Sequence, residues 1–323
     1  MYTFNSMPLI SKEYLNPEPI KWSAYSGWIN LYLFCIQGVS GALLLLYYRP
    51  TISQAYQSIQ QITNTLHYGW LIRGIHIWAM QLLIIFLLFH IIILFINQSY
   101  RSASKITWIL GGGMMTMIGL SGATGNLLPW TQVSYWTTTF ITQMSTVIPF
   151  FGRYLKFLAR GGDKISQLTL SRFFAFHILI IPLLFLFFVG FHVFSAKKSL
   201  IPRDLLFHVL ILLILSATLF SLSTFFPPRI YPKADPFNTV INIKPEWYFL
   251  GSYETFQLFN SFRLAAPRLG TILAFFFQFG LYLLFLLFPF FAPSIIRDRR
   301  LNITLAISGT LVLLTLTLLG YCR

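Results

Sequence analysis

The sequence predicts an all-α polytopic protein that crosses a membrane seven times, and three observations carry that expectation. Only 10% of the 323 residues are charged and 56% are hydrophobic, whereas a soluble globule carries roughly 25% charged residues. The apolar residues fall in seven charge-free stretches, at 22–48, 74–100, 106–152, 173–196, 205–228, 269–296 and 301–322. Each reaches the roughly 20 residues that a helix needs to span a hydrocarbon core. Backbone amides in lipid must be satisfied internally, so continuous helices are the structure these runs can adopt.

The first 20 residues are polar and contain prolines, which does not fit a cleavable signal. From there the connections alternate between the face holding the N-terminus, side 1, and the opposite face, side 2. Short basic loops around Arg101, Lys105, Lys197 and Arg297 to Arg300 lie on side 1, making it the matrix or cytoplasmic face by the positive-inside rule. Two side-2 connections look ordered. After Pro129, residues 133–148 are apolar and aromatic but interrupted, as expected of a helix lying at the interface. The connection before the sixth span holds Pro245-Glu246-Trp247-Tyr248, an acid among aromatic residues of the kind that gather at a membrane boundary. Two domains are therefore expected: a four-helix bundle over residues 1–200, and a three-helix domain over 201–323 carrying the Pro-Glu-Trp-Tyr segment.

Cys35 and Cys322 form no CxxC pattern, which disfavours zinc ribbons, thiol redox chemistry and covalently attached c-type haem. The formal net charge of +15 points to anionic lipid head groups or acidic partner subunits rather than to nucleic acid.

Histidines carry the chemistry. His76 and His90 lie in the second span, and His177 and His192 in the fourth. A separation of 14 residues brings a helical side chain back within about 40° of its starting face, and 15 within about 60°. Either interval spans roughly 21 Å of helix axis. Two such helices form two stacked bis-histidine layers, His76 with His177 toward side 2 and His90 with His192 toward side 1. Imidazole is an axial ligand for haem iron, so the first four spans are expected to form a dihaem bundle. Gly27 and Gly41 in the first span, and Gly111 and Gly125 in the third, repeat the 14-residue interval. Glycine permits the close backbone approach that a macrocycle wedged between helices requires. Arg73, one turn before His76, is placed either to pair with a haem propionate or to snorkel to the interface. His67 and His208 have no matching partner and are read as interfacial or core residues.

In this order the pieces resemble the cytochrome b family of the ubiquinol–cytochrome c reductase complex. They are Gly27/Gly41, Arg73-x-x-His76, His90, Gly111/Gly125, Pro129-Trp130-x-Gln132-x-Ser134-Tyr135-Trp136, Arg172-Phe173-Phe174-Ala175-Phe176-His177, His192 and Pro245-Glu246-Trp247-Tyr248. The resemblance implies two non-covalent b-type haems, with His76 and His177 ligating the low-potential one and His90 and His192 the high-potential one. It implies a site on side 2 that oxidises ubiquinol, where Glu246 accepts a proton, Tyr253 lines the pocket and residues 129–136 form its other wall. A second site on side 1 would reduce ubiquinone, with Asp204 as proton donor. The implied partners are a Rieske iron–sulfur protein, cytochrome c1 and a second copy of the complex. The implied location is the mitochondrial inner membrane.

The chain departs from the family pattern at several points. Its fourth-span histidines are 15 apart where mitochondrial members show 14. Lys197 stands where the family has a quinone-site histidine, and Ile93 where it has an arginine, leaving Arg101 or Lys105 as the substitute. Thr131 and Thr137 replace glycines, the eighth helix is missing, and Cys35 does not match the covalent-haem cysteine of chloroplast-type members. A dihaem anchor subunit would have no reason to carry Pro-Glu-Trp-Tyr or seven spans. A transporter would show broken helices and mid-membrane charges.

Overall fold

The computed structural model describes residues 22–102, 104–196, 205–238, 243–261, 268–296 and 298–322. Asp204 and Lys197, both expected at the side-1 quinone site, lie outside the described residues.

The described regular structure is helical apart from one isolated bridge between Thr131 and Lys233. In chain order the helices are α1 (Trp22–Leu45), α2 (Ala55–Asn64), α3 (Gly69–Ile96), α4 (Ser99–Ser102), α5 (Lys105–Leu127), α6 (Gln132–Met144), α7 (Gly152–Arg160), α8 (Gln167–Ala175) and α9 (Ile181–Ser195). They continue with α10 (Leu205–Phe225), α11 (Trp247–Ser261), α12 (Leu269–Ile295) and α13 (Arg299–Cys322). Seven of the resulting segments are long and apolar enough to cross a membrane: Tyr25–Leu45, Gly69–Ile96, Lys105–Leu127, Gln167–Ser195, Leu205–Phe225, Leu269–Pro293 and Arg299–Cys322. They fall on the seven charge-free stretches.

The fourth span is composite. Between α8 and α9 the residues Phe176–Ile180 form a π-helical turn, closed by the Ile181 N–H donating to the Phe176 carbonyl five residues back. Pro182 follows at the start of α9. A proline has no N–H to give the carbonyl four residues earlier and its ring crowds that carbonyl, so a local widening of the helix relieves both problems.

The first four spans pack as two pairs, α1 on α3 and α5 on α9, with α10 lying against α3. Midway along them sits an apolar core of Leu33, Ala79, Leu83, Ile84, Ile118, Phe185, Leu215 and Leu219. Phe34 and Phe185 reach across it with ring centroids 4.1 Å apart. The last three spans' end of the chain is organised by α11, which packs on both α12 and α13.

Both ordered-looking connections are helical. α6 is capped by Thr131 and Ser134, whose side chains each engage the other's backbone N–H, so the threonine standing in place of the family's glycine acts as an N-cap. This helix ends earlier than residues 133–148 suggested. A 3-10 turn at Ser145–Val147 follows, and Ile148 turns extended, as the residue before Pro149 must. The short helix α2 was not expected. Its apolar positions are spaced for one face, burying Ala55, Ile59 and Ile62, but its mean composition is too polar to stand out beside the spans.

Gly74 sets the α3–α10 distance, since a Cβ there would lie 2.8 Å from Ser223 Cβ. Gly74→Val should therefore destabilise the protein by about 1–3 kcal/mol through overpacking, read as a lowered denaturation midpoint in detergent. An unchanged midpoint would show that the two helices are not in tight register.

Candidate functional site

Two imidazole layers occupy the space between the α1–α3 pair and the α5–α9 pair. On side 2, His76 of α3 and His177 of the π turn face each other with ring centroids 6.2 Å apart and planes at 80°. The Ser40 hydroxyl donates to the Ile36 carbonyl at 2.6 Å, so it accepts from His76 Nδ1 at 3.0 Å. His177 Nδ1 donates to the Ser121 carbonyl at 3.0 Å. On side 1, His90 Nδ1 lies 2.8 Å from Ser26 Oγ, and His192 Nδ1 donates to the Thr107 carbonyl at 3.0 Å. In three of the four rings the partner therefore places the proton on Nδ1, which leaves Nε2 with its lone pair, the form of imidazole that binds a metal.

The π turn explains the unequal histidine spacing. Fifteen residues of regular α-helix would turn His192 about 60° past the face that His177 occupies, on the opposite side from the offset of about 40° that 14 residues give. One i→i+5 turn absorbs the additional residue, so the fourth-span pair regains the register of the 14-residue pair on α3. The chain's departure from the mitochondrial interval thus leaves the two-layer arrangement intact.

All four interval glycines sit against an imidazole of the paired helix. A Cβ at Gly41 would come 3.1 Å from His76 Cε1, and one at Gly125 would come 2.5 Å from His177 Cε1. At Gly27 and Gly111 the corresponding distances to His90 and His192 are 3.6 and 3.5 Å. The side-2 layer is the tighter of the two. The glycines make room for the imidazole rings.

These residues fit haem. Two imidazoles bonded to one iron from opposite sides, at about 2 Å each, place their ring centroids about 6 Å apart, close to the side-2 separation. Among the described residues no three His, Cys, Asp or Glu converge as ligands for a bare metal ion. A two-nitrogen layer suits a metal that brings its own equatorial ligands, as haem iron does.

Arg73 is buried, and its guanidinium donates to the carbonyls of Pro228 and Arg229 at 2.9 and 3.1 Å. It fastens the segment after α10 over the side-2 layer, and further N–H groups of its five-donor fork remain for an anion such as a propionate. At the side-1 end, Arg101 donates to the Ile296 carbonyl and Lys105 lies 4.7 Å from the centroid of the Phe290 ring.

Around the side-2 layer the two ordered connections are strapped together. The Gln132 backbone N–H donates to Pro232 O at 2.8 Å, and its side chain accepts from Asp235 N at 2.6 Å while donating to the Asp235 and Asn238 carbonyls. Trp136 Nε1 donates to the same Asn238 carbonyl at 3.2 Å. Trp130 takes a positive φ of 50°, a strained conformation for an aromatic residue, and its carbonyl accepts from Ala234 N at 3.0 Å. Phe140 of α6 meets Tyr253 of α11 with ring centroids 5.4 Å apart; Phe140 lies on α6 beyond residues 129–136, the wall expected for Tyr253.

Glu246 immediately precedes α11. Its neighbours dock next to the side-2 layer, Trp247 through a hydrogen bond to Gln81 of α3 and Tyr248 against Gly122 of α5. Burial pushes the Glu246 carboxyl above the usual carboxylate range. Burial, and then the Glu246 charge, push the Tyr248 phenol up as well.

The supporting partners were less legible. Serine precedes both interval glycines of α1, at Ser26-Gly27 and Ser40-Gly41, a repeat that could have flagged both hydroxyls. The Thr107 and Ser121 carbonyls had no such signal, because every residue has one. Nor is His208 without a partner, since Tyr32 Oη lies 2.8 Å from its Nδ1.

Gly125→Val would drive a side chain into His177. The expected result is loss of one b-type haem component from the optical spectrum with the other retained, whereas two intact components would contradict the close approach.

Two family models match separate stretches of the chain. Residues 11–200 match the family model described as Cytochrome b/b6/petB, and residues 233–323 match Cytochrome b(C-terminal)/b6/petD. Cytochrome b6 of Synechococcus elongatus is 32% identical over 190 residues, covering 59% of this chain and 88% of the relative. Cytochrome b6 of a Picosynechococcus strain is 34% identical over 190 residues, covering 59% and 85%. A solved structure, "Hyperthermophilic respiratory Complex III", superposes with a TM-score of 0.81 at 26% identity, over 94% of this chain and 85% of that one. With both family models matched in one chain and the paired-histidine layers in place, the protein belongs to the cytochrome b/b6 family.

Proposed function

We propose that this chain is the cytochrome b subunit of a ubiquinol–cytochrome c oxidoreductase, oxidising quinol on side 2 and reducing quinone on side 1. The observation that carries the reading is the pair of stacked bis-imidazole layers with the Glu246 segment docked beside one of them. A haem bound between each imidazole pair supplies a reversible one-electron carrier. His76, His177, His90 and His192 hold those carriers at fixed depths, and their Nδ1 partners lock the ring orientations.

Quinol releases two electrons and two protons. Glu246, whose burial raises its pKa, takes one proton in its ionised form and passes it to side 2, and the other proton leaves to side-2 water. Tyr253 and the 129–136 wall shape the head-group pocket. One electron leaves to an iron–sulfur partner of the Rieske type and then to cytochrome c1. The other would cross this chain through the haems that the side-2 and side-1 histidines would hold, and Asp204 is the proposed proton donor to the quinone reduced on side 1. Moving one elementary charge across 100 mV involves about 2.3 kcal/mol, and this coupling underlies proton translocation. Turnover belongs to the assembled complex, read here as homodimeric and bound by anionic lipid. The domain division at residues 200/201 separates the dihaem bundle from the part that carries Glu246. The single chain spanning both family regions and the Arg172 to His177 string support the mitochondrial inner membrane as its location.

Redox titration of the b band should resolve two components of separate potential, and finding none would overturn the reading. Ser40→Ala should shift the potential of the side-2 component alone, because it removes the acceptor for His76 Nδ1. A carboxyl with a raised pKa stays protonated to higher pH and accepts a proton only once ionised. The rate of quinol oxidation should therefore climb as pH rises through that pKa. Glu246→Gln should flatten this limb and slow oxidation by about 10²-fold with both haems in place, and unchanged turnover would remove Glu246 from the proton path.

A further inference from the structure

A helix on the surface of a globular protein turns its apolar stripe inward and its charges out; α7 does the reverse. At about 100° per residue, Tyr154, Leu155, Phe157 and Leu158 share one side of it, while Gly152, Lys156 and Arg160 share the other. The charged side faces the protein. Arg160 is buried, and its guanidinium donates to Thr142 Oγ1, the Thr139 carbonyl and the Asp163 carbonyl, each at 2.7 Å. Lys156 is mostly covered and lies 3.8 Å from Asp163. From the fourth span, Arg172 donates to the Phe157 and Leu158 carbonyls. The aromatic and aliphatic side is left bare, with Tyr154, Phe157 and Leu158 75, 59 and 60% exposed.

α7 belongs to the side-2 connection that ends where the fourth span begins, at Gln167. Leu168, in the first turn of that span, sits against the end of α7, since a Cβ on Gly161 would come 2.7 Å from its own. Leu168 is exposed too, so the bare side of α7 adjoins the surface of a helix that lies in lipid. Ahead of α7, Phe150 holds a positive φ of 63°, a costly conformation for an aromatic residue, and leaves its ring 93% exposed. In water nothing offsets that arrangement. In hydrocarbon, transfer of this ring and of the four apolar side chains on α7 does.

Residues 152–164 hold four basic side chains and one acidic one. Arg153, at the edge of the apolar side, and Lys164, in the turn that follows, are both exposed. Leucine and aromatic residues on one side with arginine and lysine at the margins suit a helix lying in an anionic membrane surface. We infer that α7 lies in the side-2 surface of the bilayer, with Tyr154, Leu155, Phe157 and Leu158 among the upper acyl chains and Arg153 and Lys164 on the phosphates of anionic lipid. The inference rests on the anionic-lipid part of the reading above and gives that lipid a place on this chain. Arg160 fastens α7 to Thr139 and Thr142 of α6. The membrane surface is thereby coupled to the helix whose Phe140 meets Tyr253.

The test uses the assembled complex in lipid nanodiscs, with Cys35→Ser and Cys322→Ser in the background so that one introduced cysteine takes a nitroxide label. With the label at Leu158→Cys, collision with oxygen should exceed collision with a water-soluble nickel chelate, placing the label about 5–10 Å into the bilayer boundary. Tyr154→Cys answers the same question where Leu158→Cys fails to assemble. Exchanging bilayers that contain phosphatidylglycerol for wholly phosphatidylcholine ones should make the label shallower. Arg153→Gln with Lys164→Gln should abolish that difference. A label as open to nickel as one in water overturns the inference. So does a label shielded from both reagents, because protein then covers the face. Equal depth in the two bilayers overturns the assignment to anionic lipid. Absence of any b band in the parent complex would instead overturn the quinol-oxidoreductase reading, while the depth of the label still decides this inference.

Discussion

Two imidazoles can face each other across the interior of a membrane bundle only if the far nitrogen of each ring has a partner, because lipid supplies none. An unsatisfied polar group in that setting costs several kcal/mol. Here α1 and α5 supply those partners, through the Ser26 and Ser40 hydroxyls and the Thr107 and Ser121 carbonyls. The same two helices carry the glycines that let them come close enough to do so. Satisfaction of Nδ1 and close helix approach are thus one constraint. It explains why the histidines sit on α3 and the fourth span while the spacing signal reappears on α1 and α5.

Membership of the cytochrome b/b6 family makes the chain a multi-pass membrane subunit of a quinol-linked electron-transfer complex. The apolar core of Leu33, Leu83, Phe185 and Leu219 lies between the two imidazole layers. It keeps them at separate depths and holds water out of the space between them. On side 2, the Gln132 and Trp136 hydrogen bonds tie the α6 connection to the segment leading toward α11. Two connections far apart in sequence thereby become one cap over the His76/His177 layer. The strained Trp130 backbone lies within that cap, where surrounding hydrogen bonds can hold it.

Most of the site was legible because its residues repeat at helical intervals within spans that composition already marks. Four histidines in two matched pairs, glycines at the same interval, and an acid flanked by proline and aromatics are all visible without coordinates. The partners of the histidines were harder to see, since a backbone carbonyl has no sequence signature. His208 shows the opposite limit. It looked solitary because its partner, Tyr32, lies 176 residues away and at no interval that a helix repeats.

By itself the sequence determined the seven spans, the two histidine layers, and the acid beside the side-2 layer, because length, hydropathy and helical period are local properties. Tertiary structure decided which nitrogen of each imidazole is engaged, which glycine meets which ring, and how Gln132 binds the two side-2 connections. It also decided that a 15-residue interval is equivalent to a 14-residue one. That equivalence depends on how a helix accommodates Pro182, through a π turn at Phe176–Ile180, and a change in hydrogen-bond register leaves no mark in the spacing of residues along the chain.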